Sequence, residues 1–526
     1  MAYESENSSR SPIVGDLNLH EGTDPTQKVA MLVELNVLFP GGLESVREAF
    51  YHLWEGYQWV AGGWWPEEFT SASPVQPPVP RGLALIAPKL YQCVLSRADL
   101  HDMVAKDRSL ADMDGRPPTI FRVWPDYELK PQIDRSAPTV KANAAWHSYD
   151  ARGQGIVWAV IDSGIDGSHP HFSDLEIAAA GQDNEPPQGL TSQLHRDFSF
   201  LVNPDDQSRP GGASADQYPL QPLTDESGHG THVAGIISGC TPDGMTPLRA
   251  EPDDSGNRGF IERAHTAKLS GMAPACELVS IKVMRPTRRG TWVTSSSAVI
   301  HALTYLRSQV NVDPAVLRVH GVNMSLGCEW KPDEYAAGQS PLCQAVNQLV
   351  ATGVVVVVAA GNYGARTMAG DSANTSAVMG SIIEPAHAED CIAVGSTHRD
   401  APHAFGVTWT SSKGPTLDGR MKPDVVAPGE WIASAASGRV RDAAGLNPGA
   451  DPARDQLLTY AEQSGTSMAA PHVSGVIAAF LSARPEFIGR PRQVKDMLTG
   501  SATDLGRERY AQGAGLVDLM RMLGDV

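Results

Sequence analysis

From Lys28 to Leu38 the chain reads Lys-Val-Ala-Met-Leu-Val-Glu-Leu-Asn-Val-Leu, an apolar run of strand length. Behind Pro40-Gly-Gly42, the residues Leu43, Val46, Phe50 and Leu53 recur at the spacing of one helix face. After a Pro-rich turn (Ser73 to Arg81), Leu83 to Leu95 is apolar and strand-like. Ser96, with Asp99 three residues on, opens a helix carrying Leu100 and Met103, and Ile120 to Trp124 gives one more short strand. The order strand, helix, strand or strands, helix, strand predicts a small split βαβ unit over residues 28–129. The polar stretch that follows, with Pro131, Asp134 and Pro138, is expected to be an extended linker over residues 130–144.

Beyond it, apolar strands alternate with helices: Gly155 to Ile161, Leu278 to Val283, Gly321 to Met324, Gly353 to Ala359 and Cys391 to Val394. These runs are apolar at successive positions, as strands of a parallel sheet are when helices cover both faces, so residues 145–526 are expected to form an α/β domain. Glu176 to Asp225 and Thr241 to Ser270 are rich in Asp, Pro, Gly and Gln and lack periodicity, and they are expected to be surface insertions. Gly513 to Leu523 is expected to close the chain as a short helix.

A formal net charge of −18 argues against nucleic-acid or anionic-membrane partners, which would be repelled. Six cysteines without a CxxC pair signal neither a disulfide framework nor a zinc site, although Cys328 and Cys343 flank one short loop and are a candidate bridge. Residues 1–27 are polar and acidic, without the basic and apolar regions of a secretory signal. They are expected to be disordered, and the protein cytoplasmic or else exported by another route. No apolar run reaches the roughly 20 residues of a membrane span.

Four segments carry candidate chemistry. Val160-Ile-Asp-Ser-Gly-Ile165 ends an apolar strand on Asp162, at the edge where parallel sheets gather their sites. A buried carboxylate there can hold an imidazole in one tautomer, though an Asp capping such a turn, taken alone, is more often structural. Gly228-His-Gly-Thr-His-Val-Ala-Gly235 puts His229 at a helix start, suited to a general base. His232 would complete a metal pair only with a third ligand, and none is evident. Gly465-Thr-Ser-Met-Ala-Ala-Pro-His472 opens an apolar helix, where free N–H groups can stabilise an oxyanion formed at Ser467, yet a serine at a helix start also serves as an N-cap. His472 is expected to pack or hydrogen-bond locally. Val358-Ala-Ala-Gly-Asn-Tyr-Gly364 sets Asn362 between glycines, as a second oxyanion donor or as a left-handed turn residue.

In the order Asp162, His229, Asn362, Ser467, these segments together resemble the subtilisin-like serine peptidases (subtilases) from about Ala145 to Leu523. That order excludes chymotrypsin-like and α/β-hydrolase arrangements. The resemblance implies a three-layer domain with a mainly parallel central sheet, preceded by a small α+β (βαββαβ, ferredoxin-like) domain. It implies an acyl-enzyme on Ser467, with Asp162 orienting His229 and with Asn362 and the Ser467 N–H forming the oxyanion hole. A silent peptide-binding protein on the same scaffold, or a transpeptidase, are the other readings of these residues.

The same resemblance places the acyl side of a bound peptide along Ser325, Leu326 and Gly327, with the opposite edge at Arg289 to Trp292, including Gly290 and Thr291. Ile383, followed by Glu384-Pro385, departs from the small residues usual at the floor of that acyl-side pocket. His169-Pro170-His171 lacks the carboxylate that often binds calcium, and Thr241 to Ser270 replaces the calcium loop, so no cofactor is expected and the strong calcium site is lost. Asp253 and Asp254 are the remaining calcium candidates. The N-terminal domain resembles the propeptide that serves as chaperone and intramolecular inhibitor, with autocleavage expected between Tyr127 and Arg135.

Overall fold

The apolar runs of the second half assemble into one seven-stranded sheet in the computed structural model, which describes residues 12–13, 24–26, 28–55, 80, 82–87, 89–125, 136–175, 177, 191–203, 221–252, 260–264, 268–313, 315–329, 335–367, 375–446 and 458–524. The chain divides into two compact units, Met1–Lys130 and Pro131–Val526.

In the first unit, β1 (Lys28–Leu35), α1 (Gly42–Glu55), β2 (Ala84–Ala87), β3 (Leu90–Ser96), α2 (Arg97–Asp114) and β4 (Ile120–Pro125) follow one another, and the antiparallel sheet runs β2-β3-β1-β4. The stretch expected as a single strand from Leu83 forms two strands, β2 and β3, which pair antiparallel. Alternate residues Met31, Val33 and Leu35 of β1 and Tyr91, Cys93 and Leu95 of β3 share a core with Val46, Phe50 and Leu53 of α1 and Leu100 and Met103 of α2. The Ser96 hydroxyl accepts from the Asp99 N–H at 3.1 Å and caps α2. Ile13 lies in the terminus expected to be disordered, yet it is buried in this core and bridges to Val123, because apolar burial outweighs the polarity of its neighbours.

The strands of the second unit are β5 (Val157–Asp162), β6 (Arg196–Asp197), β7 (Leu248–Pro252), β8 (Phe260–Ala264), β9 (Glu277–Lys282), β10 (Arg285–Pro286), β11 (Trp292–Val293), β12 (Gly321–Met324), β13 (Val355–Ala359), β14 (Ala365–Thr367), β15 (Thr375–Ala377), β16 (Ile392–His398), β17 (Val425–Glu430), β18 (Ile432–Ala435) and β19 (Thr459–Gln463). Its main helices are α3 (His229–Ile237), α4 (Ser296–Tyr305), α5 (Pro341–Val350) and α6 (Thr466–Ala483). The large sheet has the order β17-β16-β13-β12-β5-β9-β6, and every pair in it is parallel. Trp158, Val160, Val355 and Val357 share one core with α3 and α6, while Val157, Ala159, Val354, Val356 and Val358 share the other with α4 and α5. Successive strand residues point to opposite faces, so two helical layers require the unbroken apolar runs. α6 is long and apolar enough to cross a membrane, but 83% of it is buried within the protein as a core helix.

Two expectations change here. The linker ends before residue 136: Ser136–Thr139 is a helical turn, Ala142–Tyr149 is a helix, and Ser136 and Val140 are buried in the second unit. Pro138 is tolerated because first-turn N–H groups need no helical partner. Thr241 to Ser270 is not merely a surface loop, since it contributes the hairpin β7–β8. That hairpin pairs parallel with β19 to make a four-stranded sheet, β18-β19-β7-β8. Most of Glu176 to Asp225, with Asp253 and Asp254 and the expected cleavage region from Tyr127 to Arg135, lies outside the described residues.

Candidate active site

Three neighbouring parallel strands deliver the site. Val160 of β5 lies level with Asn323 of β12, which lies level with Val357 of β13. Asp162, Ser325 and Asn362 therefore emerge at the same C-terminal edge.

Asp162 is fully buried. Its Oδ1 accepts from the Ser163 N–H at 2.7 Å and from His229 Nδ1–H at 2.8 Å, and its Oδ2 has no hydrogen bond among the described residues. Nδ1 of His229 is thereby spent on the carboxylate, and the ring remains about a quarter exposed. Burial pushes the His229 pKa down, but the charge of Asp162, its hydrogen bond and the nearby Asp225 together outweigh that, and the net shift is upward.

The start of α3 is fixed by Asp225, the last residue of the segment expected to be an insertion. Its Oδ1 accepts from the Gly228 N–H and the Ser163 hydroxyl, both at 2.9 Å, and its Oδ2 accepts from the Thr231 N–H and hydroxyl at 2.8 and 2.7 Å. One carboxylate thus ties the end of β5 to the helix that carries His229. The signal available was an Asp three residues before Gly228, the spacing of an N-terminal cap. Gly228 has φ +85°, and a side chain there would overlap the Ser437 carbonyl.

Ser467 is the second residue of α6, two residues after Gly465, whose N–H donates to the Gly429 carbonyl at 2.7 Å. Among the described residues its hydroxyl donates to the Ser325 carbonyl at 3.2 Å and makes no hydrogen bond to His229. The Ser325 hydroxyl donates in return to the Ser467 carbonyl at 2.8 Å. That carbonyl is available because its partner four residues on would be Pro471, which has no N–H. The exchange is braced from below, where Ser474 Oγ donates to Asn323 Oδ1 (2.9 Å) and Asn323 Nδ2 donates to Ser325 Oγ (3.0 Å). Asn362 is exposed, and its Oδ1 accepts from the Thr466 N–H at 2.9 Å, while Nδ2 has no acceptor among the described residues.

Leu326 and Gly327 make no backbone hydrogen bond among the described residues, so they form a free edge beside Ser325. Gly290 and Thr291 do not offer one. They sit in the turn between β10 and β11, where Gly290 N–H donates to the Thr287 carbonyl (2.8 Å), the Thr291 carbonyl accepts from Thr287 N–H (2.7 Å), and Arg439 bonds the Gly290 carbonyl. The hairpin consumes these groups locally, which the sequence motif did not reveal. The Ile383 side chain is wedged between Gly327 and Gly361: a Cβ on either glycine would lie 2.6 or 2.9 Å from it.

His232 is not part of the site. Its Nε2–H donates to the Ala461 carbonyl (3.0 Å), and burial pushes its pKa down to about 3. His472 donates to Met468 O and accepts from Ser136 Oγ, each at 2.8 Å, as a local packing residue. His171 is buried against Tyr460 Oη (2.9 Å), and its Nε2–H is shared between the carbonyls of Gly235 and Ser238. A neutral imidazole donating to those carbonyls does not fit a hard cation that needs oxygen ligands. Cys328 is exposed while the buried Cys343 Sγ turns toward the Pro385 carbonyl (3.8 Å), and all six cysteines are free thiols.

The family model described as "Subtilase family" matches residues 153–516. Subtilisin E of Bacillus subtilis (strain 168) is 29% identical over 407 residues, covering 77% of this chain and 75% of its own. Subtilisin of Bacillus pumilus is 30% identical over 375 residues, covering 71% of this chain and 93% of its own. Among solved structures, a protease from Pseudoalteromonas arctica aligns with a TM-score of 0.48 and 22% identity, over 75% of this chain and 98% of that one.

Proposed function

The chain belongs to the subtilase family and is a serine endopeptidase acting on protein or peptide substrates; from that premise we propose that Ser467 is its nucleophile, His229 its general base, Asp162 the group that orients the base, and Asn362 an oxyanion donor. The observation that carries this reading is the 2.8 Å bond from His229 Nδ1 to a fully buried Asp162, on the sheet edge to which Ser467 is tied through Ser325.

Ser467 Oγ would attack the scissile carbonyl as His229 Nε2 takes its proton. The carbonyl oxygen becomes an anion held by Asn362 Nδ2–H and the Ser467 N–H, whose helical position gives it no carbonyl partner. Collapse breaks the C–N bond as His229 returns the proton to the leaving amine. Water, deprotonated by His229, then cleaves the ester and restores Ser467. Before attack, the Ser467 hydroxyl must leave the Ser325 carbonyl for His229, a rotation about one side-chain bond. A fluorophosphonate probe should label wild type and not Ser467→Ala; equal labelling of both would sink the assignment.

Base catalysis needs neutral His229, so kcat/KM should fall as pH drops through its pKa. Because that pKa is raised, the acid limb should lie above the ordinary imidazole value of about 6.5. A pH profile with the limb below that value would count against the Asp162 pairing.

The wedge formed by Ile383 fills the space beside the free edge Leu326–Gly327, which favours a small residue on the acyl side of the cleaved bond. Ile383→Gly should shift the kcat/KM ratio toward large apolar acyl-side residues by about 10-fold or more. An unchanged ratio across a peptide library would refute this. The N-terminal unit, with its βαββαβ order, is proposed as an intramolecular inhibitor.

A further inference from the structure

Lys413 holds its ammonium in a ring of three backbone carbonyls, those of Ser411 (2.9 Å), Gly364 (3.1 Å) and Trp409 (3.1 Å). An ammonium has three N–H donors and no acceptor, so these oxygens satisfy it completely. Among the described residues no carboxylate pairs with it. Carbonyl dipoles that converge on one point repel each other, and backbones gather them chiefly around cations. Here the cation is attached to the chain.

The ring joins two segments. Gly364 belongs to the loop that leaves β13 and carries Asn362, while Trp409 and Ser411 belong to the stretch after β16. The same segments are stitched by Ser412 N–H to Gly361 O and Gly364 N–H to Thr410 O, both 2.9 Å, and by Tyr363 N–H to Ser412 Oγ at 3.1 Å. They approach so closely that a methyl on Gly364 would overlap the Ser411 carbonyl and lie 2.6 Å from Lys413 Nζ. Asn362 is thus bracketed by Gly361, tied to Ser412, and Gly364, tied to Lys413. Burial lowers the Lys413 pKa, in keeping with an ammonium held by dipoles rather than by a counter-charge.

We propose that Lys413 is a positioning residue, a tethered cation that holds the Gly361–Gly364 loop so that Asn362 Nδ2 stays where the oxyanion forms. This rests on the reading of Asn362 as an oxyanion donor. Without the ammonium the three oxygens lose their shared partner, the loop relaxes away from Lys413, and the donor drifts. Misplacement by about 1 Å can cost about 100-fold in rate.

The test is a double-mutant cycle on the full chain, with kcat and KM measured on one peptide substrate for wild type, Lys413→Met, Asn362→Ala and the double variant. Asn362→Ala should lower kcat about 100- to 1,000-fold, a range set by subtilisin rather than deduced from this chain. Lys413→Met should lower kcat by at least about 10-fold with KM within about twofold, and should add less than about twofold to the loss in Asn362→Ala. Losses that multiply, or a Lys413→Met enzyme with full kcat, overturn the proposal. Full kcat in Asn362→Ala overturns the oxyanion reading itself and this proposal with it. If Lys413→Met does not fold, the cycle is run with Lys413→Gln, which keeps an N–H donor but no charge, and is judged by the same criteria.

Discussion

Ser467→Ala is expected to lose about a millionfold in kcat, a magnitude carried over from subtilisin, where removing the serine alone costs as much as removing the whole triad. The loss should be chemical and not structural. In the resting enzyme the hydroxyl makes one hydrogen bond, at 3.2 Å to Ser325 O, while the backbone exchange through the Ser467 carbonyl is untouched by the substitution. Unfolding stability should therefore change by only about 1 kcal/mol. The same variant reports on the N-terminal unit: if that unit is released by self-cleavage, wild type should shorten at its N-terminus and Ser467→Ala should stay full length. Turnover within about 100-fold of wild type would refute the nucleophile assignment. A fully active wild type that is never shortened would refute the propeptide reading.

Asp162→Asn should cost about ten-thousandfold in kcat while leaving the fold in place. Oδ1 of Asp162 accepts from both Ser163 N–H and His229 Nδ1–H while Oδ2 has no partner among the described residues, so an asparagine either keeps both bonds through its oxygen without the charge or, turned over, presents an N–H to the ring. Presented with a donor, His229 places its proton on Nε2, the nitrogen needed as base. The pKa should fall as well, since the charge that raised it is gone. The acid limb of kcat/KM should therefore move to lower pH as the plateau drops. A variant with wild-type kcat and an unmoved limb would show that Asp162 only braces the turn.

The sheet was legible because buried strands of a two-faced sheet leave unbroken apolar runs, such as Val355–Ala359, that little else explains. The four motifs were legible because each combines glycines for close approach with one reactive side chain. What stayed hidden depended on distance or on weak pattern. The Ser325–Ser467 exchange joins residues 142 positions apart, and only the fold brings them together. The hairpin β7–β8 alternates apolar and polar residues, as in Leu248-Arg-Ala-Glu-Pro252, but its strands are five residues each and sit among Asp, Pro and Gly. Arg249 and Arg399 both bond the buried Glu462 of β19, and this pairing is a reason for charges in that hairpin that no local reading supplies. Lys413 looks like an ordinary surface lysine until the carbonyls around its head group are known.

Pro471 interrupts the hydrogen-bond ladder of α6 four residues beyond Ser467, and the freed carbonyl is bonded by the Ser325 side chain. In an isolated helix such a gap would be a flexible point. Here it fastens two elements, because the start of α6 and the segment that follows β12 are held together by the paired Ser325 and Ser467 bonds. If a peptide lies along Leu326 and Gly327 as proposed, it would be anchored next to the residue that holds the serine's own backbone.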